Sequence, residues 1–436
     1  MNARVLERAP ALQYRDFRLM WGGQLLSQMG SQMQLTAVDW HIFTLLQGTT
    51  YSLGLLGRTY ELNASALGLG SLGLVRIVPI ILFALIGGIL ADTQDRRRLM
   101  LYTQSAAALF ALLLAMITLS GNASIAAIYA LTAAGAAAAA FDNPARQSLV
   151  PNLVSREHLT NAVSLNTLLW QISTIVGPAI GGLLISQFNI GLIYALNAVS
   201  FLAVIVALLK MHYRGKAAAT NTGLGWDALV EGLRFVHGSR IIWGTMLVDF
   251  FATFFSSART MLPIVAADVL GVGPQGYGLL VTAQPVGALI AGAFTALRKE
   301  IHRQGYVLLV SVAIYGLATA LFGVSTVFAL SYVFFAMTGA ADTVSTVIRG
   351  TIRQLMTPDH LRGRMTSVNM MFFMGGPQLG EMEAGLVAAL FGAPLAIFTG
   401  GIATILLTGW VAWKYPHLRQ YTSDTEAEVR EVMAAG

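Results

Sequence analysis

Acidic and basic side chains interrupt the long apolar runs of this chain, and carboxyl groups in such surroundings can bind and release protons. Asp249 stands about nine residues inside one run, which at a rise of about 1.5 Å per residue is roughly 13 Å from its start. A charge placed in hydrocarbon is costly unless it is hydrated, paired or neutralised by a proton. The candidate groups for proton coupling, or for lining a polar cavity, are Asp39, Asp249, Asp342, Glu381, Glu383, Arg76 and Arg259.

Two interpretations of these groups stay open. In the first, Asp249 or Glu381 forms an ion pair with Arg76 or Arg259 that holds two helices together. In the second, a carboxyl gains and loses an arginine partner as a cavity opens first to one side of a membrane and then to the other, so that it binds a proton on one side and releases it on the other. Asp249 is the leading candidate for the second role, followed by Glu381 and Asp342.

Other chemistries lack the residues they need. The chain has no cysteine, which excludes a disulfide framework and a thiolate metal site. No group of His, Asp and Glu has metal-ligand spacing, and neither a Gly-x-Ser-x-Gly element nor a phosphate-binding Gly-x-x-x-x-Gly-Lys-Ser/Thr loop occurs. The sequence therefore predicts no cofactor, no metal site and no enzymatic activity.

The composition is that of a protein embedded in lipid. The 436 residues are 56% hydrophobic and 11% charged, with a mean hydropathy of +0.66, whereas soluble domains carry about 25% charged residues. We therefore predict an all-α polytopic membrane protein. The sequence pI is near 9.6, but the basic residues are scattered among the connections between apolar runs, which argues against nucleic-acid binding.

Twelve apolar runs are long enough to cross a bilayer core of about 30 Å. All but three of the 27 Lys and Arg residues fall on one side of these runs, the exceptions being Arg58, Arg76 and Arg259. The positive-inside rule then places both termini in the cytoplasm. No cleavable signal peptide is expected. The predicted spans are 17–43, 66–91, 99–120, 124–147, 161–187, 190–211, 241–267, 277–297, 305–324, 327–349, 364–391 and 394–415.

Internal repeats predict two six-helix halves. Three segments recur in the same order: Arg18–Gly22 as Arg240–Gly244, His158-Leu159 and Asn166 as His360-Leu361 and Asn369, and Gly177–Gly181 as Gly376–Gly380. The predicted domains are residues 1–211, a cytoplasmic linker 212–240 with a short amphipathic helix at 226–236, residues 241–415 and a solvated acidic tail 416–436.

The first external connection, residues 47–65, is rich in Gly and Thr. It is expected to hold a short helix at 52–62, or else the first span continues into it. Because its position outside the membrane leaves it few constraints, we expect it to be mobile and to tolerate shortening. At the inner end of the fourth span, Asp142 is expected to anchor a loop near Arg146.

Two motifs carry a resemblance to a known family. The pattern Gly-x-x-x-Asp followed by arginines resembles the loop 2–3 signature of the major facilitator superfamily, and a Gly-Pro-x-x-Gly-Gly cluster in the fifth span resembles the signature of its antiporters. With Phe141–Gln147, they are similar to the branch that holds the enterobactin exporter and the macrolide efflux proteins. The residues are Gly88, Asp92, Arg96, Arg97 and Arg98 for the conformational motif, and Gly177, Pro178, Gly181 and Gly182 for the antiporter-like motif.

The resemblance implies a function and a place in the cell. It implies a monomeric secondary active transporter in a bacterial inner membrane that exports a small amphipathic molecule, such as a drug or siderophore, by alternating access in exchange for protons. The alternatives are a lipid or lysolipid mover, or an importer, on the same fold. Trp40, Trp170, Gln171, Gln284 and Phe372 are candidates for lining the cavity, although ordinary helix packing is the better explanation for any one of them.

Overall fold

Long apolar runs separated by short polar turns fold into a series of helices in the computed structural model, which describes residues 9–55, 58–213, 226–297, 301–358 and 361–422. One β-hairpin interrupts the series. The elements are α1 Arg15–Leu46, β1 Thr50–Leu55, β2 Arg58–Asn63, α2 Ala64–Thr93, α3 Arg96–Leu119, α4 Ile125–Leu149, α5 Leu159–Gln187, α6 Ile190–Lys210, α7 Trp226–Gly238, α8 Arg240–Phe255, α9 Gly273–Leu297, α10 Gln304–Val324, α11 Phe328–Leu355, α12 Arg362–Phe391 and α13 Ala393–Lys414.

The prediction of a helical membrane protein is confirmed. In the part of the chain that the structure describes, nine helical stretches are long and apolar enough to cross a bilayer. The three other predicted spans, 17–43, 327–349 and 364–391, coincide with α1, α11 and α12, which carry more polar residues. The number of twelve crossings stays a prediction. The amphipathic helix predicted in the linker is α7, and the acidic residues of the tail lie outside the described residues.

The helix predicted at 52–62 is wrong, because this connection forms a β-hairpin. Strands β1 and β2 pair antiparallel, with Tyr51 opposite Leu62 and Leu53 opposite Tyr60. Apolar residues that alternate with polar ones fit the two-residue period of a strand, in which successive side chains point to opposite faces. The two ends of the hairpin lie next to each other, because the Ala64 amide donates a hydrogen bond to the Thr49 carbonyl at 3.1 Å.

This closure predicts that the hairpin can be shortened without loss of the fold. Tyr51, Leu53 and Tyr60 are each 39% to 50% exposed, so the hairpin buries little apolar surface. Replacing residues 51–62 by a short Gly-Ser linker should therefore lower the melting temperature by only about 1–2 °C, as expected for a loss near 1 kcal/mol in a chain of this length. Thermal unfolding of the purified protein measures this. A variant that no longer folds would show instead that the hairpin is structurally essential.

The predicted seventh span is helical in pieces. Helix α8 ends at Phe255 and is followed by a 3₁₀ turn at Arg259–Met261, a short turn at Leu262–Ile264 and a π-helical turn at Val265–Val269. Pro263 lies at this break, where its missing N–H is tolerated at the start of a helical turn.

The chain divides into two compact units. The first comprises Met1–Leu45, Leu74–Asn221 and Gly273–Thr282, and the second comprises Leu46–Gly73, Thr222–Val272 and Ala283–Gly436. The core of the first unit is built on buried residues such as Phe17, Met100 and Leu208, and that of the second on Leu308, Ile352 and Val411. Helices α2 and α9 each contribute residues to both units. The domain limits drawn from the sequence stay a prediction.

Candidate functional site

A buried group of charged side chains lies in the second unit, where α8 packs against α11. Arg349 Nη1 lies 3.0 Å from Asp249 Oδ1, and Arg353 Nη2 lies 3.5 Å from Asp249 Oδ2. Asp249, Arg349 and Arg353 are only 2%, 3% and 4% exposed, respectively. Burying charges is tolerated when they are paired and further hydrogen-bonded. Asp249 is therefore paired, and its partners are two arginines of α11 rather than Arg76 or Arg259.

Arg353 is held firmly in place by groups from two other helices. Its Nε donates to Thr245 Oγ1 at 3.0 Å and its Nη2 donates to the Thr245 carbonyl at 3.0 Å, both on α8. Its Nη1 donates to Asn369 Oδ1 on α12. Arg353 thus joins α8, α11 and α12, and it is the fixed partner of Asp249.

Arg349 is shared between two acids. Besides Asp249, Arg349 contacts Asp342, with 3.3 Å between its Nη2 and Asp342 Oδ1. Its Nη1 also donates to Ser345 Oγ at 3.0 Å, and its Nη2 donates to Thr346 Oγ1 at 2.8 Å. The Asp342 side chain is 45% exposed, in contrast to Asp249. Two acids and two arginines balance in charge, and Arg349 links the buried acid to the half-exposed one.

A second ion pair lies in the first unit. Arg76 Nη2 on α2 donates to Asp39 Oδ1 on α1 at 2.6 Å, a short distance typical of a charge-assisted hydrogen bond. The Tyr277 hydroxyl donates to the other oxygen of Asp39 at 3.4 Å. Trp40 stacks on the Tyr277 ring at 5.4 Å between centroids. Both members of this pair are candidates from the sequence, although the sequence did not pair them.

Three further candidates from the sequence lie on α12 and in the broken seventh span. Glu381 is buried on α12, and a Cβ added to Gly73 would lie 2.9 Å from Glu381 Cβ. Glu383 is half-buried and Arg259 is exposed. Among the side chains that the structure describes, no group of three or more His, Asp or Glu is placed to hold a metal ion.

The arginines of the conformational motif bind the ends of neighbouring helices. Arg96 Nη1 donates to the Ser148 carbonyl at 3.1 Å, and Arg97 Nη2 donates to the Leu209 carbonyl at 3.0 Å. Both carbonyls are in the last turn of a helix, α4 and α6, where backbone acceptors lack helical partners and the dipole favours positive charge. Gly88 and Asp92 lie in α2, but their surroundings are outside the described part of the structure.

Asp95 is a helix cap within this motif. Its Oδ1 accepts the backbone N–H groups of Arg97 at 2.9 Å and Arg98 at 3.2 Å, at the start of α3. Asp95→Ala should therefore cost about 0.5–2 kcal/mol of stability. Asp95→Asn is the matched control, because asparagine caps a helix equally well, and it should remain close to the native protein in thermal unfolding. Equal losses in both variants would contradict a capping role.

Glycines allow two close helix crossings. A Cβ at Gly182 on α5 would lie 2.6 Å from the Gly278 Cα on α9, and a Cβ at Gly385 on α12 would lie 2.6 Å from the Gly70 Cα on α2. The first crossing is in the first unit and the second is in the second unit. The other motif glycines, Gly177 and Gly181, pack against α1, and Pro178 lies within α5. Small residues at such crossings let two backbones approach closely.

Comparison with known proteins gives a consistent set of relatives. The profile of a family described as "Transmembrane secretion effector" matches residues 8–434. The chain is 24% identical over 407 residues to the enterobactin exporter EntS of Salmonella choleraesuis, covering 93% of this chain and 92% of the relative, and it matches EntS of Shigella boydii to the same extent.

Solved structures are similar in fold. The nucleoside transporter NupG has a TM-score of 0.70 at 12% identity, covering 93% of this chain and 100% of that one. A bacterial homologue of the iron transporter ferroportin has a TM-score of 0.67 at 16% identity, covering 92% of this chain and 98% of that one.

Proposed function

This chain belongs to the transmembrane secretion effector family, and from that premise we propose that it exports a small amphipathic molecule across a bacterial inner membrane in exchange for protons. The predicted major facilitator fold is confirmed. The protein is a membrane transporter of a small molecule and not an enzyme. The observation that carries the proposed proton coupling is the group formed by Asp249, Arg349, Arg353 and Asp342.

The shared arginine supplies a way to couple protons to movement. Arg349 contacts both the buried Asp249 and the half-exposed Asp342. A proton taken up by Asp342 removes one of the two charges that hold Arg349, so Arg349 then interacts with Asp249 alone. Release of that proton restores the shared arrangement. A side chain that alternates between two sets of partners is a two-state element of the kind that coupled transport needs.

Export is the proposed direction for two reasons. The family is described as a secretion effector, and the relatives are named enterobactin exporter. In addition, α5 carries the antiporter-like Gly-Pro cluster, whose Gly182 makes a close crossing with α9. We further propose that both termini lie in the cytoplasm and that the protein works as a monomer, with a substrate, protons and the bilayer as its partners.

The test begins with a screen in bacteria that lack their own efflux pumps. Expression of the protein should raise resistance to at least one amphipathic compound and lower its accumulation in the cells. That compound is then added to proteoliposomes that contain the purified protein and a pH-sensitive dye. The expected result is a proton movement that depends on the compound and is opposite to it in direction.

Other outcomes would replace the proposal. Raised accumulation in the cells would identify an importer. Movement of a fluorescent lipid between the leaflets of the same vesicles, without proton movement, would identify a lipid or lysolipid mover. A compound that is transported with no associated proton movement would overturn the proposed coupling.

A further inference from the structure

A small cavity lies in the first unit. It has a volume of about 150 Å³, and its lining includes Trp21 and Gln24 of α1, Arg146 of α4, and Asn166 and Trp170 of α5. These residues lie within about three turns of the helix ends that the proposed topology places at the cytoplasm. A cavity of about 150 Å³ is large enough for one six-membered ring.

One polar group of this cavity lacks a partner. Arg146 Nη1 donates to Gln24 Oε1 at 3.2 Å, which fixes the orientation of the Gln24 amide. Gln24 is 4% exposed, and its Nε2 has no hydrogen-bond acceptor among the residues that the structure describes. A buried donor without an acceptor costs about 1–3 kcal/mol. A ligand oxygen in the cavity would supply the missing acceptor.

The cavity also holds an uncompensated positive charge. Within the described ranges, no carboxylate lies within 4 Å of Arg146, which bonds only to the amide oxygens of Gln24 and Asn143. Asp142 is turned away from it and accepts hydrogen bonds from Thr103 and Gln104, both at 2.9 Å. The loop anchor expected at Asp142 is thus a contact with α3 and not with Arg146.

The internal repeat gives Arg146 a counterpart in the second unit that does have carboxylate partners. The same number of residues separates Arg146 from Arg349 as separates the repeated Asn166 from Asn369. In the second unit, Arg349 has Asp249 and Asp342 as counter-ions. Its counterpart in the first unit has an amide and an open cavity in their place. An anionic ligand would complete the first site as the two acids complete the second.

Tryptophan rings determine the shape of the ligand. Trp21 is fixed in the cavity because its Nε1 donates to the Leu165 carbonyl at 2.9 Å, and Trp170 is 48% exposed at the rim. Such rings favour a flat partner. We propose that this cavity binds an aromatic ring bearing an anionic oxygen. This binding does not depend on the proposed export function.

The experiment measures binding of tritiated benzoate to the purified full-length protein in lipid nanodiscs, without any gradient. Unlabelled benzamide keeps the ring without the charge, and cyclohexanecarboxylate keeps the charge without the aromatic ring. We expect saturable binding of benzoate. Benzamide should compete at least about tenfold more weakly, as expected for the loss of one charged contact. Cyclohexanecarboxylate should also compete more weakly, because it has no flat ring to pack against the tryptophans.

Substitutions of the cavity residues test whether benzoate binds in this cavity. Arg146→Gln should weaken benzoate binding by about tenfold and Gln24→Leu by about threefold or more, whereas Arg146→Lys should retain most of it because the charge remains. Arg156→Gln is the control, since it removes an exposed positive charge from the turn between α4 and α5 without touching the cavity. If Arg146→Gln fails to fold, Gln24→Leu and the competition series decide the question.

Three results would overturn the inference: no benzoate binding, benzamide competing as well as benzoate, or Arg156→Gln weakening binding as much as Arg146→Gln. None of them bears on proton-coupled export, because no gradient is applied. Conversely, intact benzoate binding in a protein that moves no protons would contradict the proposed function alone.

Discussion

Asp249→Asn is expected to cost about 3–5 kcal/mol of stability, because it removes the carboxylate paired with the buried Arg353 and one of the two carboxylates that the buried Arg349 contacts. Both arginines are at most 4% exposed, and Arg353 is held in place by Thr245 and Asn369. Neither side chain can therefore reach water without disturbing α8 or α12. Thermal and denaturant unfolding of the purified protein should show a large decrease for this single substitution.

Two comparisons separate this effect from the general loss of a carboxylate. Asp268→Asn removes an exposed acid near the end of the same predicted span and should change stability little. The double variant Asp249→Asn/Arg349→Gln removes a cation together with the anion and should be more stable than Asp249→Asn alone, because contacting residues are not additive. A single Asp249→Asn variant as stable as Asp268→Asn would contradict the structural importance of the pair.

Asp342→Asn should abolish proton coupling while leaving the fold intact. The Asp342 side chain is 45% exposed, and Arg349 keeps Asp249 as a partner after the substitution. In proteoliposomes, transport of the screened compound driven by a pH gradient should fall by at least about tenfold, which corresponds to about 1.4 kcal/mol of lost driving interaction. Exchange of the compound between equal pools on the two sides should continue.

The matched variants are informative here as well. Asp268→Asn should keep gradient-driven transport, and whatever Asp249→Asn protein folds should lose it, because Arg349 then has only one acid. If a pH gradient still drives transport of the compound by Asp342→Asn but not by Asp249→Asn, the proton is carried by Asp249. Asp249 is the leading candidate from the sequence. Coupling preserved in both variants would remove this group from the mechanism.

The sequence predicts the helices well, because charged turns limit each apolar run. It fails at the first external connection, where the Gly and Thr content suggested a loose segment. The alternation of Tyr51, Leu53 and Leu55 with polar residues, repeated at Tyr60 and Leu62, is a period-two signal that indicates strands. The pairing depends on contacts between the two segments, which neither segment reveals alone.

The partners of Asp249 were missed for a different reason. Arg349 is the last residue of the predicted span 327–349 and Arg353 follows it, whereas α11 continues to Leu355 and both arginines are buried. A signal was present, since Asp342, Thr346, Arg349 and Arg353 follow the three- and four-residue spacing of one helix face. That such a face packs on Asp249 depends on tertiary structure, which the spacing does not contain.

The crossing of Gly385 with Gly70 has a consequence for biosynthesis. About 300 residues separate the two glycines, which at about 5–20 residues per second is an interval of about 15–60 s on the ribosome. During that interval the start of α2 has left the ribosome while α12, the helix against which it packs, has not been made. The start of α2 is itself apolar enough to enter a bilayer, with a mean hydropathy of 2.1 over Ala64–Phe83. It must therefore remain in the membrane without its packing partner until α12 arrives, and the close contact at Gly70 forms only late in synthesis.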